Sequence, residues 1–146
     1  NATLHKELEG VPWWVRLDRR PGRARFHDGE MNEARPERAA VSAILANGSE
    51  TARVRALAAL WIGTCRNPED VASLEAVIDS SESAGSFPGV KTPNLGMGAF
   101  AEPEDPLVWE SCTLGEAALS ALALVNSRLH ADAADYRAWR KACAEC

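Results

Sequence analysis

A chain of 146 residues is one domain's worth of polypeptide, long enough to bury a real core and too short for two. With 46% hydrophobic and 25% charged residues it has the make-up of an ordinary globular protein. No apolar run approaches the roughly 18 residues of a helical membrane span, which excludes that class.

The net charge of −5 is unevenly spread: residues 1–46 carry eight basic and seven acidic side chains, residues 47–146 eight and fourteen. An acidic body argues against nucleic acid as a partner, since that requires a basic stripe. The chain begins Asn1-Ala2-Thr3 without Met, as a product trimmed of a leader segment would, so export is one reading of this end.

Residues 3–10 suggest no more than one helical turn. From Trp14 to Asp18, and again from Arg23 to Asp28, apolar and polar residues alternate, and Pro21-Gly22 lies between the two runs. This predicts a β-hairpin over residues 11–28, with Trp13, Val15, Leu17, Ala24 and Phe26 on its buried face and Trp14 at the rim. Such a hairpin is marginal alone and should rest on the first helices. Arg16, Arg19, Arg20, Arg23 and Arg25, relieved only by Asp18, read as a charged edge that discourages aggregation. Arg16, Arg19 and Arg20 double as a candidate patch for a small anion or an acidic partner.

Residues 34–78 read as the first helices of an array. Pro36 suits a first helical position, and Val41, Ile44 and Leu45 form a short apolar stripe. Asn47-Gly48 reads as a stop, with Gly48 left-handed, and Ser49 as the cap of the next helix. That helix, Arg53 to Cys65, places Val54, Leu57, Ala58, Trp61, Ile62 and Cys65 on one face of a 3.6-residue period. Asn67-Pro68-Glu69-Asp70 then supplies a side-chain cap, a proline where no donor is needed, and acids at the positive dipole end. The helix it opens should carry Val71, Leu74, Val77 and Ile78 inward and lie antiparallel beside its predecessor.

Residues 79–112 break this rhythm, holding four of the eight prolines and four of the ten glycines. Phe87, Val90, Leu95, Met97, Phe100, Leu107, Val108 and Trp109 make the segment too apolar for a disordered linker. A long ordered loop folded over the end of the helices is expected, with Phe87, Met97 and Phe100 as candidate partner anchors. Residues 113–146 form a last helix pair. Thr113 and Glu116 fit a capping box, and Asp132 and Asp135 open the final helix, expected to bury Tyr136, Trp139 and Cys143.

The stripe of the 53–65 helix returns at Leu114, Ala117, Ala118, Ala121, Leu122 and Val125, which points to repeats that bury their faces by stacking. Arg53 to Leu60 with Gly63, Asn67 to Ile78, and Gly115 to Val125 resemble the helices of HEAT-type repeats. The resemblance spans roughly residues 34–146 of a single domain and implies a mainly α chain, a short α-solenoid of antiparallel helix pairs. It also implies a binding scaffold with no shared catalytic residues. The hairpin and the long insertion depart from a plain array.

Motifs with chemistry are sparse. Cys143 and Cys146 have half-site spacing for zinc but no second close pair, so no metal or other cofactor is expected. Cys65 and Cys143 sit on apolar stripes. Cys112 precedes one helix of an antiparallel pair and Cys146 ends the other, so a Cys112–Cys146 disulfide is expected in an oxidising compartment, with Cys143 as the substitute. His5, His27 and His130 show no ligand spacing, and Gly96-Met97-Gly98 lacks the helix a phosphate loop needs. Asn47-Gly48-Ser49 matches a glycosylation tripeptide but serves more simply as stop and cap. The residues thus favour a protein-binding scaffold of unknown partner. Behind it stand a structural module of a larger exported protein, and an enzyme on the same scaffold, as in the DNA glycosylases and bilin lyases built on such arrays.

Overall fold

The computed structural model describes His5, Leu8, residues 38–88, Val90 and residues 109–145. Within them the chain is mainly helical, with one two-stranded antiparallel sheet. The order is α1 (Arg38–Ala46), α2 (Ala52–Cys65), a 3-10 turn (Pro68–Asp70), α3 (Val71–Glu75), β1 (Ser83–Pro88), β2 (Trp109–Thr113), α4 (Leu114–Asn126) and α5 (Ala133–Glu145). The predicted 11–28 hairpin lies outside the described residues.

Local chemistry explains most boundaries. Thr51 caps α2, its hydroxyl accepting from the Val54 amide, so the cap expected of Ser49 falls two residues later. Asn67 caps the 3-10 turn through the Glu69 amide, with Pro68 at the first position. Thr113 and Glu116 close the reciprocal capping box that starts α4. Asp132 accepts from the Asp135 amide at 2.7 Å at the start of α5. Both α2 and α4 end on a non-glycine residue in the left-handed region, Arg66 at φ 52° and Ser127 at φ 54°. Gly48 is not left-handed. Its turn is closed instead by Asn47, whose carbonyl accepts from the Glu50 amide and whose Oδ1 accepts from the Ser49 amide.

The core is built round α2 and α4, the two helices that share a stripe. Trp61 and Leu122 are both buried, and burial extends well beyond the stripe to Ala56, Ala59, Leu60 and Gly63 on α2. A helix buried all round is a central helix. The α2–α4 packing is the most extensive helix–helix contact, and Gly63 permits it: a Cβ there would come within 2.7 Å of the Ala121 backbone. Arg53, in the first turn of α2, donates to the carbonyls of Ala84 and Ser86 on β1, while α4 begins where β2 ends. Both central helices therefore leave the ribbon from the same end and run the same way.

The outer elements pack round this pair. α1 lies back along α2, with Arg55 donating from Nε to the Leu45 carbonyl at 2.9 Å. α3 does not lie along α2 as the short connection suggested; it packs mainly on α4 and touches α1. The left-handed Arg66 and the 3-10 turn redirect the chain before α3 can follow α2 back. Leu74, Val77 and Ile78 are buried and Val71 partly so. Leu8 is buried in the same core, and His5 pairs with Glu50 at 3.0 Å.

The expectation of an irregular loop over residues 79–112 is corrected at both its ends. β1 and β2 pair antiparallel with Ser83 opposite Thr113, Gly85 opposite Cys112 and Pro88 opposite Trp109. The register slips between Ser83 and Gly85, a bulge that Gly85 makes possible at φ 88°. Glycine and proline here shape a ribbon; they do not interrupt one.

Candidate partner-binding surface

The outer helix α5 provides the most featured surface. Its first turns are anchored by Tyr136, which is buried and donates from its hydroxyl to Glu75 Oε2 at 2.7 Å. Burial and the Glu75 carboxylate push the phenol well above its ordinary range. Arg137 forks onto both oxygens of Asp79, one at 2.9 Å, and this bond holds the Asp79 carboxyl below the usual range. Arg140 Nε lies 3.4 Å from Glu75. Between the α3 end and α5 runs an open cleft of about 360 Å³, floored by Ile78 and Tyr136 and rimmed by Glu75, Arg137, Arg140 and Lys141. Such a groove can take an apolar side chain on its floor and acidic groups at its rim.

Behind the cleft, three rings interlock. His130 meets Tyr136 edge-on at 4.9 Å and Trp139 at 5.2 Å, and the Arg128 guanidinium lies 5.5 Å from the Trp139 ring centre. Both His130 ring nitrogens are buried and have no hydrogen-bond partner among the described residues. Burial lowers the imidazole pKa, Arg128 adds to the effect, and Asp135 opposes it. His130 also borders a pocket of about 120 Å³ with Val90, Leu119 and the exposed Leu129. At the start of α3, burial raises the Asp70 carboxyl although Arg38 Nη1 lies 3.6 Å away.

The residues singled out from sequence fare differently. Phe87 is fully buried in the core with the Arg53 guanidinium 4.5 Å over its ring, so it is no surface anchor. Met97, Phe100, Arg16, Arg19 and Arg20 lie outside the described residues. Cys112 is buried on β2, Cys146 lies outside the described residues, and Cys143 carries a free thiol. Cys143 therefore does not substitute in a disulfide, and it is exposed where the stripe had placed it inside. Trp139 is only partly buried against the core. Cys65 is buried, as expected. Among the described residues no group of three or more His, Cys, Asp or Glu is placed to hold a metal, and no helix is long and apolar enough to cross a membrane.

The cleft was missed because its parts are 58 to 65 positions apart in sequence, Asp79 with Arg137 and Glu75 with Arg140. The one available signal was the basic i, i+3, i+4 spacing of Arg137, Arg140 and Lys141. Comparison with protein-family models, with curated proteins and with solved structures finds no match to this chain.

Proposed function

We propose that this chain is a protein-binding scaffold, a short HEAT-like helical stack in which the segments α2–α3 and α4–α5 are successive units, with α3 turned off α2 and onto α4. The observation that carries the reading is the pairing of like with like. α2 and α4 run in the same direction with Gly63 against Ala121, while Glu75 and Asp79 at the end of one unit bond Tyr136 and Arg137 of the next. Stacked repeats bury their faces in this way. The repeated Thr cap and left-handed exit of α2 and α4 support it further. The docking surface in this reading is the α3–α5 cleft, and no catalytic residue is assigned.

The test is affinity capture from the native cells with the wild-type chain and with Arg137→Glu/Arg140→Glu/Lys141→Glu, thermal melting serving as the folding control. The expected result is a discrete partner retained by the wild type and lost by the folded variant. Capture of the same partner by both moves the docking surface elsewhere. No partner with either form sinks the scaffold reading.

A further inference from the structure

We propose that Asn47 is an acceptor for an N-linked glycan, within the tripeptide Asn47-Gly48-Ser49. The tripeptide fits the Asn-X-Ser/Thr pattern with X other than proline. The structural jobs expected of Gly48 and Ser49 are done by others, and Asn47 closes the turn through its carbonyl and Oδ1. Gly48 is not in the left-handed region, and Thr51 caps α2 in place of Ser49. All three residues are exposed, and nothing lies within 4 Å of the position a Gly48 Cβ would take. Asn47 Oδ1 accepts from the Ser49 amide at 2.9 Å, while Nδ2, the atom to be modified, makes no hydrogen bond among the described residues.

The donor class is an oligosaccharide carried on a lipid pyrophosphate. Nδ2 bonds to the anomeric carbon, the bond from that carbon to the pyrophosphate oxygen breaks, and the lipid pyrophosphate leaves with the electron pair while Nδ2 gives up one proton. Apart from the His5–Glu50 side-chain pair, the turn is closed among the described residues by short-range bonds, Asn47 N–H to the Ile44 carbonyl, Glu50 N–H to the Asn47 carbonyl and Ser49 N–H to Asn47 Oδ1. Opening it for a transferase therefore breaks bonds of the exposed residue Asn47 in the turn. In the folded product the sugar projects into solvent from the α1–α2 turn, where no packing is lost.

Two measurements decide the matter. In the first, the full chain is sent through the secretory pathway of mammalian cells behind a cleavable signal peptide. Every form carries Asn1→Gln, because Asn1-Ala2-Thr3 is a second such tripeptide. The expected result is one oligosaccharide, released by peptide-N-glycosidase, on the otherwise wild-type chain and none on Asn47→Gln or Ser49→Ala. Ser49→Ala keeps the backbone donor that Asn47 uses, so its loss of sugar is not a loss of the turn. In the second, the tryptic peptide 39–53 is taken from the native cells and its mass read, with the sugar expected in place. An unmodified wild-type chain in the secretory pathway, sugar persisting in either variant, or a bare Asn47 in the native peptide overturns the proposal.

Discussion

α4 and α5 are both thirteen residues long, follow one another in the chain and both start with an acidic residue in the first turn, yet they do opposite work. α4 buries ten of its thirteen residues, whereas on α5 only Tyr136 is buried among the residues whose side chains are described. α4 is held by shape, with alanine and glycine letting two backbones close on each other. α5 is held by one phenol, one ring cluster and ion pairs at its edge. The lesson is that the tolerance of this protein to change should fall steeply from α5 to α4.

The sharpest break of that contrast is Leu122→Ala on α4, which should cost about 2–5 kcal/mol by leaving a cavity at a fully buried site. Leu129→Ala, at 51% exposure in the turn before α5, should stay within about 0.5 kcal/mol in the same chemical denaturation experiment. Equal losses at the two sites would remove the distinction. Gly63→Ala comes next, at about 1–3 kcal/mol, because the new methyl overlaps Ala121 backbone that cannot retreat. Thermal melting reads it directly. On α5, Tyr136→Phe should cost about 1 kcal/mol, the net worth of one hydroxyl bond to Glu75 with the ring packing kept.

The smallest effect is a pH dependence centred on His130. Its pKa lies below the unfolded value of 6.5, so the unfolded chain binds more protons in the interval between the two. Stability should therefore be complete above pH 6.5 and decline as pH falls through that interval. His130→Phe keeps a ring against Tyr136 and Trp139 and should flatten the decline as pH falls below 6.5. A decline of unchanged slope in the variant would assign the titration to another group.

Features that depend on neighbours in sequence were legible. The Asn67-Pro68 start, the Thr113–Glu116 box and the Asp132 cap are bonds between residues two or three positions apart, and each forms as its residue types dictate. The shared stripe of α2 and α4 was legible for the same reason. The cap of α2 slipped from Ser49 to Thr51 because either hydroxyl could serve and only the packing of α1 on α2 sets the helix start. The ribbon escaped notice because β1 reads Ser-Ala-Gly-Ser-Phe-Pro, with no clean alternation and a bulge at Gly85.

What the amino-acid order determined by itself is the starts at Asn67, Thr113 and Asp132 and which two helices belong together, since capping and periodicity are short-range. Only the tertiary structure decided which apolar side chains face water. Phe87 and Cys143 exchanged places with expectation, the first going under Arg53 and the second out to the surface of α5. Exposure is fixed by contacts between distant segments, such as Glu75 with Tyr136, and a candidate binding surface made of such contacts has no local signature to read.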